Sequence, residues 1–332
     1  MSTPKPQKES ISNGGVLHDS ELRPRKWDEY IGQDHIKKNL NILLSAAKER
    51  NHAPEHLLFY GPPGLGKTTL AHLIAHHNNS QMKITSGPAI EKVGDLASIL
   101  TNLSAGDILF IDEIHRLNKT VEEVLYPAME SGVIDIIIGK GPSARTVQLE
   151  LPTFTLISAT TKLAMISSPL RSRFSGGIFK LEFYTTEEIS KIIKQSAKKL
   201  DVQIDPHAAD NIAKRSRSTP RTANYLLRRA RDIAQINKKG LDEDVVSETL
   251  SLIGIDELGL SKIDIDVLKT IRDKFNRGPV GLGTLATSLS EESATIEEFH
   301  EPYLIQLGFI ERTPRGRVLT AKGEEYIKNN LE

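Results

Sequence analysis

Gly61 to Thr69 reads Gly-Pro-Pro-Gly-Leu-Gly-Lys-Thr-Thr, a complete G-x-x-x-x-G-K-[ST] phosphate-binding loop. Glycines there let backbone N–H groups turn inward around phosphate oxygens, and the helix that follows adds its positive end. Lys67 reaches the β- and γ-phosphates of a nucleotide, and Thr68 offers its hydroxyl to Mg²⁺. A second signal is Asp107-Ile108-Leu109-Phe110-Ile111-Asp112-Glu113. Its four apolar residues make a buried strand with two carboxylates at the end, Asp112 for the metal shell and Glu113 to orient or polarise an attacking water. Phe154 to Thr161 ends in two hydroxyls, Thr160 and Thr161, either of which could sense a γ-phosphate. Ser168-Pro169-Leu170-Arg171-Ser172-Arg173 holds two arginines, and spacing alone does not say which would neutralise charge on a transferring phosphoryl group. In Ser218-Thr219-Pro220-Arg221, Ser218 or Thr219 caps a helix, Pro220 suits its first position, and Arg221 points from the first turn toward a nucleotide.

These groups need a frame. The apolar runs Leu57–Tyr60, Met82–Thr85, Asp107–Ile111, Phe154–Ala159 and Gly177–Phe183 read as strands, with helical patterns between several of them. That alternation predicts an α/β phosphate-loop core, a parallel sheet with helices on both faces, whose chemistry sits at the carboxyl ends of the strands. A small helical lid domain follows, then a different pattern from about Asp256: three helices and two short strands, the plan of a winged helix. The expected divisions are 1–18 as a tail, 19–184 as the large ATPase domain, 185–255 as the lid, and 256–332 as the winged-helix head. Arg312, Arg315 and Arg317 cluster on the wing, suited to DNA phosphates or a minor groove.

Composition excludes several classes. The chain has no cysteine, so disulfide scaffolds and thiolate metal sites are out. His72 and His76 have the i, i+4 spacing of a helical metal site, but no H-E-x-x-H accompanies them and no zinc site is expected. No apolar run approaches the ~20 residues of a membrane span, and the first residues lack an apolar signal core, so a cytoplasmic location without membrane contact is expected. Lys and Arg number 43 against 43 Asp and Glu, so any nucleic-acid surface must come from local clusters. The head is net acidic, which keeps a protein-docking role open for it.

The chain resembles the RuvB family, the bacterial Holliday-junction branch-migration motors of the AAA+ class. The resemblance runs from about Leu22 to about Tyr326. It is carried by Leu22-Arg23-Pro24, Tyr30-Ile31-Gly32-Gln33, the phosphate loop, Thr85-Ser86-Gly87-Pro88 and Asp112 to Leu117. Glu122 to Glu130, Glu301-Pro302-Tyr303-Leu304-Ile305-Gln306 and Arg312-Thr313-Pro314-Arg315-Gly316-Arg317 complete it. The resemblance implies that Leu22, Arg23 and Tyr184 border ATP, and that Gly64, Lys67, Thr68 and Thr69 hold its phosphates, with Glu130, Ser131 and Gly132 beside the pocket. It selects Arg173 over Arg171 as a finger acting on a neighbouring subunit, Arg221 as a second sensor, and Arg312 and Arg317 as DNA contacts. It further implies a hexameric ring on duplex DNA, a hairpin at Val133–Gln148, tipped by Gly139-Lys140-Gly141-Pro142, that docks the junction-recognition protein RuvA, and the resolvase RuvC in a larger complex.

Three positions depart from the family. Phe174-Ser175-Gly176-Gly177 is one residue longer than its Arg-Phe-Gly turn, Ser218 stands where glycine is frequent, and Ser293 replaces a basic residue found in some members. None removes a catalytic group. Two other functions use similar parts: an ATP-switched DNA-binding initiator, and a protein-remodelling ATPase whose winged helix docks proteins.

Overall fold

The computed structural model describes residues 19–138 and 145–331; the expected tail at 1–18 and the hairpin tip lie outside the described residues. The large domain is built on β1 (Leu57–Tyr60), β2 (Met82–Ser86), β3 (Asp107–Asp112), β4 (Val133–Ile138), β5 (Arg145–Glu150), β6 (Phe154–Thr160) and β7 (Gly177–Lys180). Five of these form a parallel sheet in the order β2-β3-β6-β1-β7. Successive side chains on a strand point to opposite faces. Accordingly Leu57, Phe59, Ile108, Phe110, Ile157 and Ala159 enter one core, while Leu58, Leu109, Ile111 and Leu156 enter the other. Helices Asp34–Glu49 and Lys67–His77 cover the first face; Val93–Thr101 and Lys119–Ser131 cover the second. Phe59 and Phe110 are fully buried, and each contributes about 1.5–3 kcal/mol.

The order matters for function. With β3, β6 and β1 side by side, Asp112, Thr160 and the phosphate loop emerge at adjacent strand ends.

The last predicted strand, Gly177–Phe183, stops at Lys180. Leu181 N–H still donates to Tyr60 O (2.8 Å), but at Glu182 the Gln33 side chain takes over both backbone groups, which ends the ladder. The predicted hairpin is present as β4 and β5, antiparallel and running to Glu150. Of its apolar residues, Ile134 is buried and Ile136 is half-buried against the second core, so the base of the hairpin is partly covered.

Four helices follow: Thr186–Lys199, Pro206–Arg215, Pro220–Asn237 and Glu243–Leu252. Their apolar faces, among them Ile189, Ile193, Leu226, Leu227, Val245 and Val246, join the first core of the large domain. The last unit has its own core, from Leu260 to Ile327. It contains helices Lys262–Asp273 and Leu282–Leu289, a third helical run over 293–306, strands β8 (Ile310–Thr313) and β9 (Gly316–Leu319), and a closing helix Ala321–Leu331. The third run is α-helical except at Ile296–His300, which is π-helical. Pro302 explains the break, because it has no N–H to give Glu298 O. Val280 bonds in both directions with Arg317 and adds a single antiparallel bridge to the two-stranded wing. Gly316, at φ +135°, makes this possible, since an added Cβ would sit 2.3 Å from Val280 O. No helix among the described residues is long and apolar enough to cross a membrane.

Candidate active site

The helix that leaves the phosphate loop starts at Lys67 behind Gly66, which provides no side-chain cap. Its first N–H groups are therefore presented to the cleft, as an anion requires. The cleft is lined by Arg23, Gly64, Gly66, Lys67, Thr68, Thr69, Asp112, Glu113, Thr161, Arg221 and Asn224. Strand ends thus bring together the phosphate loop and both predicted carboxylates, and the lid delivers Arg221. Gly64 permits the close approach: a Cβ there would lie 3.0 Å from the Arg221 Cβ, and the Arg221 N–H reaches Gly64 O at 3.4 Å.

Lys67 is buried and donates to Gly61 O and Pro62 O, both at 2.8 Å. Burial lowers its pKa to about 8; Asp112 opposes the shift and Arg221 adds to it. A phosphate in the cleft would supply the negative partner this ammonium lacks. Asp112 accepts from the Glu113 N–H (2.9 Å), and Glu113 adopts the left-handed region at φ +48°. Such strain in a non-glycine residue is concentrated at functional sites. The Glu113 carboxylate meets Arg116 at 3.3 Å on the open side of the cleft. The two threonines left open by sequence now separate. Thr161 lines the cleft, whereas Thr160 is buried with its hydroxyl 2.9 Å from His115 Nδ1. Thr219, not Ser218, caps the sensor helix, accepting from Thr222 N–H.

A smaller pocket continues from the cleft, lined by Leu22, Arg23, Tyr30, Ile31, Tyr184, Ile192 and Asn224. It is mostly apolar, as a purine base needs. The Tyr184 hydroxyl lies 3.2 Å from both Leu65 O and Tyr30 Oη and shares its one proton between them; burial raises its pKa to about 12, so it stays a neutral donor. Sequence reasoning missed Tyr30, Ile192 and Asn224 as lining residues. Asn224 had one available signal: it lies three residues after Arg221 and shares its helix face.

Arg173, Glu130, Ser131 and Gly132 are elsewhere. None lines the phosphate-loop cleft; together they border a groove with His56 and Pro152. The expectation that Glu130, Ser131 and Gly132 flank the pocket is therefore not met within one chain. Arg173 pairs with Glu130 (3.0 Å), donates to Pro169 O (2.7 Å) and stacks over the Tyr126 ring at 4.4 Å. The Tyr126 hydroxyl is held by Glu122 (2.7 Å) and Ser167 (3.0 Å), and Ser167 also donates to Glu122 and caps the helix that carries Arg173. This platform was not legible from spacing.

At the wing, Arg315 is exposed in the turn. Arg317, expected to contact DNA, grips Glu301 within the chain through two bonds of 3.0 and 2.9 Å, and Arg312 adds a third at 2.9 Å. Glu301 is fully buried, so it needs these partners. Burial pushes its carboxyl up, but the two arginines outweigh that and hold it below the usual range. Ser293 is exposed at the start of the third helical run.

A parallel sheet with a phosphate loop, strand-end carboxylates and a lid arginine defines an AAA+ P-loop ATPase. Residues 22–180 match the family described as the Holliday junction DNA helicase RuvB P-loop domain, 184–256 the RuvB AAA lid domain, and 257–328 the RuvB C-terminal winged helix domain. The chain is 54% identical over 327 residues to the Holliday junction branch migration complex subunit RuvB of Dehalococcoides mccartyi, covering 97% of this chain and 93% of that one. The RuvB branch migration motor of Thermotoga maritima superposes with a TM-score of 0.85 at 48% identity, over 94% of this chain and 100% of that one. A point mutant of the same protein gives 0.86 at 48% identity, over 93% and 100%. The chain belongs to the RuvB family.

Proposed function

We propose that this chain is an ATP-driven DNA motor that moves Holliday-junction branches, working in the cytoplasm as a hexameric ring on duplex DNA. The observation that carries the reading is the split site. Lys67, Thr68, Asp112, Glu113 and Arg221 converge on one cleft, while Arg173 is presented on another face of the same chain. A second copy docked against the cleft would complete it with Arg173, Glu130, Ser131 and Gly132.

Lys67 and the N–H groups of the loop hold the phosphates. The Thr68 hydroxyl and the Asp112 carboxylate open into the same cleft and are hard oxygen donors that fit Mg²⁺. When bound, Mg²⁺ neutralises charge on the β- and γ-phosphates. Glu113 exchanges Arg116 for the attacking water and orients it. Leu22, Arg23 and Tyr184 enclose the base, and Thr69 sits at the junction of base and phosphate pockets. Arg173 of the neighbour stabilises the transition state, a role worth about 10³–10⁵ in rate. Arg221, on the lid, links nucleotide state to the angle between lid and core. Arg312 and Arg315 meet DNA phosphates, and Arg317 braces Arg312 through the shared Glu301. The β4–β5 hairpin docks RuvA, and RuvC joins the larger complex.

The test is branch migration of a synthetic four-way junction with ATP, with and without RuvA. Migration should require hydrolysis; equal migration with a non-hydrolysable analogue would overturn the reading. ATPase activity stimulated by DNA of arbitrary sequence separates a motor from an initiator.

A further inference from the structure

Arg217 lies four residues before Arg221, yet it faces another domain. Its guanidinium meets the Asp264 carboxylate at 2.9 Å and lies 5.1 Å from the Phe299 ring and 5.0 Å from the Tyr303 ring, all in the winged helix. Asp264 is fully buried and also takes His300 Nδ1 (2.7 Å), the Ser261 N–H (2.8 Å) and the Ser261 hydroxyl (2.6 Å). Arg217 and Ser218 both stand at φ +54°, a left-handed pair of non-glycine residues that persists only where its surroundings fix it. Gln306 donates to the Ser218 hydroxyl at 3.2 Å, and the Tyr184 N–H donates to Ser218 O at 3.1 Å. One short segment therefore ends in the nucleotide cleft and begins inside the head.

The contact between the head and the large domain is of a different kind. Lys162 directly follows the cleft-lining Thr161, and its ammonium pairs with Glu298 at 2.8 Å and Glu297 at 3.8 Å. All three side chains are about a third exposed or more, so water can replace either partner. A buried arginine on a buried carboxylate cannot be exchanged this way. A motion driven at the cleft will part the second seam and leave the first closed.

Resting on the motor reading above, we propose that Arg217 is a positioning residue that fuses the sensor turn, the lid and the winged helix into one rigid lever, and that the stroke is taken up at the Lys162–Glu297/Glu298 seam. Arg217 touches no nucleotide; it fixes the direction in which the movement of Arg221 is delivered to DNA.

The chain has no cysteine, so an introduced pair provides the only thiols. Ser218→Cys with Gln306→Cys spans the lid–head seam, and Lys162→Cys with Glu298→Cys spans the core–head seam. Each full-length variant is joined by a short bis-maleimide and assayed for migration of a four-way junction with RuvA and ATP. Both should be active before linkage. Linking the first pair should leave migration running; linking the second should abolish it while ATP still binds. Arrest by the first link, migration through the second, or inactivity of the unlinked Lys162/Glu298 variant would each overturn the lever.

Arg217→Ala supplies a second readout. Basal ATPase and DNA affinity should stay, while stimulation by DNA and migration are lost; Arg217→Lys should restore only part, since an ammonium lacks the guanidinium that reaches Asp264 and lies over both rings. A fall of all four activities together would mean a purely structural role and overturn the proposal. Wild-type protein run in parallel separates the two levels: if it does not migrate junctions, the motor reading has failed, and not the lever alone.

Discussion

The phosphate-loop cleft and the Arg173 groove are two faces of one domain that resolve the same electrostatic problem in opposite ways. The cleft has cations in need of an anion: Lys67 is buried and depressed in pKa, and Arg221 stands close enough to worsen it. The groove has a cation already paired: Arg173 rests on Glu130 and on the Tyr126 ring, with only its Nε left without a hydrogen-bond partner. A face that wants phosphate binds ATP by itself. A face whose arginine is parked on a half-exposed glutamate offers it only when a better anion arrives. Hydrolysis should thus depend on a second copy, and binding should not.

The largest expected effect tests this directly. Arg173→Ala should lower ATP turnover by about 10³–10⁵ while leaving nucleotide affinity unchanged. Lys67→Ala should instead lose binding. Mixing the two inactive variants should restore turnover at mixed seams, measured as phosphate release. If the mixture stays inactive, the cleft and the groove are not halves of one site.

A comparison with the wing sharpens the point that an arginine's role follows from its carboxylate. Glu130 beside Arg173 is 57% exposed, whereas Glu301 beneath Arg317 is 1% exposed. Losing Arg173 should hardly change folding, because water replaces it. Losing Arg317 leaves a buried charge with one partner, so Arg317→Ala should destabilise the head by about 3–5 kcal/mol in urea unfolding. Arg315→Ala should reduce the salt slope of DNA binding by about 1 with little loss of stability, and Arg312→Ala should do the same at a cost smaller than that of Arg317→Ala, since Glu301 keeps both bonds from Arg317. If Arg317→Ala unfolds no earlier than wild type, the Glu301 contact is not a structural clamp.

What the sequence disclosed was local. The phosphate loop, the β3 carboxylates and the capped sensor helix are each written within a dozen residues, and continuous apolar runs, buried on both faces, made the sheet legible. What it hid joins distant segments. Tyr30 and Tyr184 meet across 154 positions, Glu122 and Ser167 across 45, and Glu301 binds arginines 11 and 16 residues away. No pattern within one element encodes such pairings. Choosing Thr161 over Thr160 likewise required knowing which side chain the fold turns into the cleft, whereas Arg173 was preferred to Arg171 on the family resemblance alone.

The two faces should also differ in pH. The Lys67 pKa is lowered by burial to about 8, so its charge is penalised in the empty cleft below that pH and released as pH rises through it. Bound phosphates reverse the penalty and raise the pKa. Nucleotide binding should therefore take up a proton above about pH 8, and affinity should fall by up to about tenfold per unit beyond it. Calorimetry in buffers of different ionisation enthalpy reads the proton directly. Removing Arg173 should leave this proton uptake unchanged, because Arg173 lies outside the cleft. No proton uptake at pH 9 would mean that Lys67 is not the group the phosphates pair with.

The smallest effect concerns the perch itself. Tyr126→Phe keeps a ring 4.4 Å beneath the Arg173 guanidinium but removes the hydroxyl that donates to Glu122 at 2.7 Å. Glu122 retains Ser167 as a donor, so the loss should be about 1–3 kcal/mol of local stability rather than collapse of the helix. The ring is then free to tilt, and Arg173 samples the seam less accurately. Turnover should fall severalfold with KM for ATP unchanged, since the base and phosphates are held by the other face. A raised KM at constant kcat would place the influence of Tyr126 on the nucleotide side and break the division between the two faces.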